Sequence, residues 1–166
     1  MINKKIVTKK AVILLATLKA TPALSNTKTL CDLLVEKLDA YNIESEIVRL
    51  ADYHIEPGIE THATKGDDWP GLLKIILDAD ILIFATPIWW NSHSSLMQRV
   101  IERMDAVNDT LLETGISPFS NKVGGIVITG GRRWSSAHHR STVQLYDLER
   151  INSATGCVAV LPWQSR

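Results

Sequence analysis

The sequence predicts an α/β protein built on one doubly wound, five-stranded parallel sheet with helices on both faces. Three observations carry this reading. Short apolar runs without polar alternation recur along the chain, as expected of strands covered on both sides. Segments with helical apolar spacing stand between them. Strand–helix alternation of this kind implies right-handed crossovers, which place helices on both faces of a parallel sheet. The chain has 166 residues, 45% of them hydrophobic, enough for one well-buried core and too few for two comfortable domains. A single domain over residues 1–166 is therefore expected.

The elements follow in order. Residues 11–16, Ala-Val-Ile-Leu-Leu-Ala, form the first strand. Residues 26–41 place Leu30, Leu33, Leu34, Leu38 and Tyr41 at helical spacing, with Glu36, Lys37 and Asp39 between them, and form the first helix. Residues 44–50, with Ile47, Val48 and Leu50, are short enough for the second strand. Residues 69–79 carry Leu72, Leu73, Ile76 and Leu77 on one helical face, with Asp67 and Asp68 as the cap ahead of Trp69 and Pro70. Residues 80–86 repeat the uninterrupted apolar signature, and residues 92–107 return to helical spacing through Leu96, Val100, Ile101 and Met104. Residues 122–129 give the fourth strand and residues 157–161 a short fifth, with 135–150 only weakly helical between them. The longest irregular stretches are 51–68 and 109–121, lengths that in a compact domain often belong to functional or partner-contacting loops.

Composition narrows the function. Lys plus Arg and Asp plus Glu are both 18, so nothing in the balance asks for nucleic acid, an acidic partner or a membrane surface, and a small-molecule partner is expected. No apolar run approaches the roughly 20 residues a bilayer needs, and residues 1–5 are not followed by a signal-peptide core, so a cytoplasmic location is expected. Cys31 and Cys157 lie far apart without CxxC or Cys/His spacing, which argues against a disulfide framework and a zinc or iron–sulfur site. Both read as reduced, buried small hydrophobes. His54, His62, His93, His138 and His139 show no metal-ligand spacing, and Arg99, Glu102, Arg103 and Asp105 read as the solvated face of the third helix.

Ligands of open α/β sheets sit outside the carboxyl ends of the strands, so the segments after the first, third and fourth strands are where function is sought. After the first comes a loop rich in hydroxyls, Thr17 to Thr27, delivered to a helix start. Unpaired N–H groups there, with the Thr17, Ser25, Asn26 and Thr27 side chains, suit a phosphate. Taken alone, helix capping is the better account of Ser25 or Asn26, and the loop matches neither the Walker A nor the GxGxxG fingerprint. After the third strand, Pro87 turns the chain outward and Trp89 and Trp90 stand side by side. Neighbouring side chains of extended backbone point opposite ways, so at least one indole faces a cavity or a partner: a planar ligand ring or a second subunit. After the fourth strand, Gly130 and Gly131 permit close backbone approach to a ligand, or simply a tight turn.

Together these loops resemble the NAD(P)H-dependent FMN reductases of the flavodoxin-like superfamily. The resemblance spans about residues 11–131 and is most specific over 79–105, Ala-Asp-Ile-Leu-Ile-Phe-Ala-Thr-Pro-Ile-Trp-Trp-Asn-Ser-His-Ser-Ser-Leu-Met-Gln-Arg-Val-Ile-Glu-Arg-Met-Asp. It implies a flavodoxin-like strand order 2-1-3-4-5, FMN as cofactor and NAD(P)H as co-substrate. It also implies transfer of reducing equivalents through FMN to a small-molecule electron acceptor such as FMN or a quinone, with orientation and hydrogen bonding rather than a catalytic triad supplied by the protein. Carried across residue by residue, Thr17, Lys19, Ser25, Asn26 and Thr27 hold the phosphate. Pro87, Ile88, Trp89, Trp90, Asn91 and Ser92 hold the ring, and Gly130 and Gly131 contact its edge. A homodimer or homotetramer is implied as well. Two other readings remain at this point, a flavodoxin-like electron carrier without turnover and a non-flavin α/β binding domain; the neutral charge favours the enzyme over a carrier that docks through an acidic surface.

Beyond Gly131 the resemblance stops. Residues 132–146 bring two arginines and a tryptophan where the family has a small acidic loop. One permissible codon set for that stretch, read one base later, encodes the family-like Glu-Asp-Gly-Ala-Gln-His-Ile-Ile-Gly-Gln-Leu-Tyr, so ordinary divergence and a shifted reading frame both account for the departure.

Overall fold

A computed structural model describes residues 8–130 and 156–162. The strands are β1 (Lys9–Leu15), β2 (Ile43–Arg49), β3 (Ile81–Trp89), β4 (Val123–Thr129) and β5 (Gly156–Pro162); the helices are α1 (Asn26–Asp39), α2 (Trp69–Asp78), α3 (Ser95–Arg103) and α4 (Asn108–Thr114).

β1 explains why its sequence lacks polar alternation. Val12, Leu14 and Ala16 face one side of the sheet, where they join Leu72 and Ile76 of α2 and Met97 and Val100 of α3. Ile13 and Leu15 face the other, with Cys31 and with Leu30, Leu34 and Leu38 of α1. Each branched side chain so buried stabilises the fold by about 1.5–3 kcal/mol, and residues 11–16 are all fully buried. α1 starts at a true cap, the Ser25 hydroxyl accepting from the Lys28 amide at 3.3 Å.

The strand order is β2-β1-β3-β4-β5, the flavodoxin-like order expected. β1 runs parallel to β2 and β3, with Ile13 opposite both Ile47 and Ile83, and β3 runs parallel to β4. β5 departs from the all-parallel expectation: it pairs antiparallel with β4, from Thr129 opposite Gly156 to Val123 opposite Pro162. A parallel partner needs a crossover that carries the chain back to the amino edge, whereas this strand re-enters at the carboxyl edge where β4 leaves. Otherwise parallel sheets commonly carry such an edge strand. Gly131 and residues 132–146, whose two readings were set out above, lie outside the described residues.

Three further expectations are corrected. Pro87 does not end β3. The β1 partnership of that strand stops at Leu15–Ala85, so beyond it Pro87 lies on a free edge where its missing N–H costs nothing, and it pairs only with Thr129 of β4. The single helix expected over 92–107 divides into α3 and a 3₁₀ turn, Met104–Val107, and α4 occupies part of the stretch read as irregular; Gly115, at φ 71°, closes α4 by donating its amide to the Leu111 carbonyl. Arg99 and Arg103 are not a solvated face. Arg103 is fully buried and bridges Asp67 at 2.6 Å, while Arg99 donates to the Ile55 carbonyl, so α3 pins the loop between β2 and α2. Asp67 binds the Trp69 amide, and Asp68 makes no side-chain cap bond.

Candidate functional site

The carboxyl ends of β1, β3 and β4 open on a cavity of about 790 Å³, within the roughly 300–1,000 Å³ range of small-molecule sites. From β1 and the start of α1 it takes Thr17, Leu18, Lys19, Ser25, Asn26 and Thr27; Thr29, Leu30 and Leu33 extend this wall along the helix. β3 contributes Pro87, Ile88 and Trp89, and the far side is closed by Thr129 and Gly130. The cavity thus has a polar end at a helix start and an apolar wall ending in a half-exposed indole. No carboxylate lines it among the described residues, and Lys19 is its one lining cation.

Local physics builds the polar end. The Ser25 hydroxyl serves the Lys28 amide, so the Asn26 and Thr27 amides, ahead of it in the first turn, have no carbonyl to bond within the helix and carry the positive end of its dipole. The Thr27 hydroxyl is 2.7 Å from that of Thr129, which ties the helix start to the end of β4 across the floor of the site. The Lys19 ammonium donates to the Leu24 carbonyl at 3.1 Å. The Asp52 carboxylate accepts from the Thr21 amide at 2.7 Å and the Thr21 hydroxyl at 2.6 Å. The hydroxyl bond first and the amide bond second hold the Asp52 carboxyl below its ordinary value.

The cavity brings together nine of the thirteen residues proposed from sequence. Trp90, Asn91 and Ser92 do not line it. Trp90 and Asn91 are the two turn residues of a hairpin in which Ser92–His93 folds back antiparallel on Ile88–Trp89, both with left-handed φ, 47° and 64°. Trp90 is fully exposed there. Gly131 lies outside the described residues. Sequence reasoning missed Thr129, although the carboxyl-edge rule points to the last residue of β4. It also missed Leu30 and Leu33, which the helical period had assigned to core. Cys31 is buried as expected, and burial first, with Asp32 adding, pushes its thiol up to about 12. No His, Cys, Asp or Glu cluster suited to a metal occurs among the described residues, and no helix among them is long and apolar enough to cross a membrane.

Comparison with known proteins agrees with this fold. Residues 10–162 match the family described as NADPH-dependent FMN reductase, a match that continues past residue 131. The chain is 32% identical over 163 residues to an 8-demethyl-8-aminoriboflavin-5'-phosphate synthase of Streptomyces davaonensis, covering 93% of this chain and 63% of that protein. It is 33% identical over 146 residues to a divalent metal cation transporter, MntH, of Mycobacterium bovis, covering 86% of this chain and 21% of that protein. The chain therefore spans from about a fifth to under two thirds of these relatives' own lengths. Among solved structures, RosB with a bound 8-demethyl-8-formylriboflavin-5'-phosphate intermediate superposes with a TM-score of 0.60 and 31% identity over 75% of this chain and 53% of that one. A flavone reductase gives 0.54 and 25% over 76% and 45%. These findings support FMN as the cofactor and NAD(P)H as the co-substrate within this family. With the strand order, the hydroxyl-lined helix start and the family match over most of its length, the chain belongs to the NADPH-dependent FMN reductase family and has a flavodoxin-like α/β fold.

Proposed function

We propose that this chain is an FMN-dependent oxidoreductase that takes reducing equivalents from NAD(P)H and delivers them to a small acceptor such as free FMN or a quinone. The observation that carries the reading is the cavity itself: one 790 Å³ space joins an anion-suited helix start to an apolar, indole-ended wall. That polarity matches a phosphorylated ligand with a flat aromatic head. The Asn26 and Thr27 amides, with the hydroxyls of Thr17, Ser25 and Thr27, would hold the phosphate. Pro87, Ile88 and Trp89 would hold the ring and exclude water from one side of it, and Gly130 would let backbone approach its edge. Bound FMN supplies hydride acceptance and electron delivery, and the protein supplies orientation and hydrogen bonds. Trp90, Asn91 and Ser92 stand outside this set.

The test compares FMN with riboflavin, which lacks the phosphate. A Ser25→Ala/Thr27→Ala double variant should lose at least ten-fold in FMN affinity, since hydrogen bonds to a charged group are worth about 1.5–3 kcal/mol each, with riboflavin affinity nearly unchanged. Equal losses for the two ligands refute the phosphate seat. NADPH-driven ferricyanide reduction should proceed with FMN present; its absence leaves an electron carrier. A second reading comes from the 32% identical synthase, whose name makes a riboflavin phosphate derivative the compound produced, so that a flavin would be reactant rather than cofactor. Mass spectrometry of the flavin after turnover separates them, because a cofactor is recovered unaltered and a substrate is not.

A further inference from the structure

We infer that Arg49, at the carboxyl end of β2 and outside the cavity lining, is the positioning residue that shapes the phosphate loop and gives the site its preference for the phosphorylated flavin. The inference rests on the phosphate seat proposed above.

Arg49 is 7% exposed. A buried guanidinium ordinarily sits against a carboxylate, because the cost of taking a cation out of water must be offset. Among the described residues no carboxylate lies within 4.0 Å of this one; its hydrogen-bond partners are two main-chain carbonyls of the loop, Ala23 at 3.1 Å and Lys19 at 3.4 Å. These two residues stand on opposite limbs of the loop that joins β1 to α1, so the Nη1 amino group of Arg49, donating to both carbonyls, ties the limbs together. Asp52, three residues further on, takes the loop's tip through the Thr21 amide and hydroxyl. The end of β2 and the 3₁₀ turn that follows it, Leu50–Asp52, therefore grip the loop at three residues, Lys19, Thr21 and Ala23.

Two consequences follow for an anion at the start of α1. The Lys19 and Ala23 carbonyl oxygens, which repel phosphate, are drawn onto the guanidinium instead of being free to face the ligand. The buried charge of Arg49, offset in part by the Asp52 carboxylate that the Thr21 bonds and then Arg49 itself hold below its ordinary value, also adds positive potential beside the loop with little water to screen it. Both effects act on the phosphate and neither acts on the isoalloxazine, which separates this role from a general contribution to folding. Arginine suits it better than lysine, since the two N–H bonds of Nη1 are fixed in the guanidinium plane, whereas an ammonium turns freely on a flexible stem and holds two carbonyls less rigidly.

The experiment measures FMN and riboflavin dissociation constants by flavin-fluorescence titration for the wild type and for Arg49→Lys, Arg49→Met and Asp52→Ala, with melting of each apo protein as a control for folding. Arg49→Met should weaken FMN about ten-fold or more while riboflavin changes less than about two-fold. Arg49→Lys, which keeps the charge and is the variant expected to remain folded, should weaken FMN at least three-fold with the same selectivity. Asp52→Ala, at an exposed site, should show the same pattern more weakly. FMN affinity in Arg49→Lys equal to wild type, or parallel losses of FMN and riboflavin in the folded Arg49 variants, overturns the inference while leaving the phosphate seat standing. Equal wild-type affinity for FMN and riboflavin overturns the seat and this inference with it.

Discussion

Arg103→Met tests the energetics of the loop between β2 and α2. In the folded protein the Arg103 Nη2 donates to Asp67 Oδ2 at 2.6 Å with both side chains 0% exposed. The guanidinium also stands 5.6 Å from the centroid of the Trp69 ring. Removing it leaves a buried carboxylate without its countercharge, a loss of about 3–5 kcal/mol, out of a total stability of about 5–15 kcal/mol. Asp67 keeps its bonds from the Trp69 and Glu56 amides at 3.1 and 3.3 Å, and these set the lower part of that range. In a chain of this length each kcal/mol moves the melting midpoint by about 2–4 °C, so the midpoint should fall by about 6–20 °C. Differential scanning at neutral pH reads this directly. The Asp67→Asn/Arg103→Met double variant should be more stable than Arg103→Met alone, because a carboxamide leaves no uncompensated buried charge once the guanidinium is gone. The acid limb gives an independent check. Burial by itself pushes the Asp67 carboxyl up, but bonds from the Trp69 amide, Arg103 and the Glu56 and Ala63 amides outweigh it and hold the group below 3.8. A folded value below the unfolded one contributes stability that is complete well above pH 3.8 and is lost as pH falls below it. The wild type should therefore show an acid loss that Asp67→Asn lacks. An Arg103→Met midpoint within about 2 °C of wild type, less than 1 kcal/mol on that scale, refutes the reasoning.

Other outcomes follow from the site. Trp89→Ala should abolish most of the tryptophan quenching produced by FMN and Trp90→Ala should leave it in place, since only Trp89 lines the cavity; the reverse pattern in a fluorescence titration rejects the placement of the ring. Thr129→Val removes the hydroxyl partner of Thr27 and should cost about 1 kcal/mol, read as a small drop in urea midpoint with an unchanged slope. A thiol held up at about 12 and buried is unreactive, so native-state alkylation at pH 8 should give the same stoichiometry for wild type and Cys31→Ala, with a difference appearing only in denaturant. Sedimentation should find a homodimer or homotetramer, and a monomer at micromolar concentration would refute self-association.

The central strands were legible because both faces of the sheet are covered: a run such as residues 11–16 has one physical explanation, and the register of β1 between β2 and β3 provides it. α1 was legible from its period. Arg103 was not, because a buried arginine is defined by a carboxylate 36 residues away that local pattern does not reveal. The direction of β5 was not legible either, since pairing direction depends on how the chain returns and not on the strand's own residues. In the site, Thr17, Ser25, Pro87 and Gly130 were found because strand ends of open α/β sheets gather ligands. Leu33 was missed because helix rotation decides which apolar side chains of α1 turn outward, and Arg49 because its partners are backbone carbonyls, invisible to any motif.

The hairpin beyond β3 has a consequence at the level of the gene. Its first turn residue has φ 47°, a conformation that glycine adopts freely and a bulky aromatic residue does not, and the indole it carries is fully exposed. Tryptophan and glycine codons differ here by one base, TGG against GGG, so a Trp90→Gly change is a single mutational step away and relieves backbone strain without removing any internal packing. Such a variant should melt at or above the wild-type temperature. Trp90→Ala, which removes the indole and keeps a Cβ at the same φ, separates loss of the indole from the freer backbone that glycine brings.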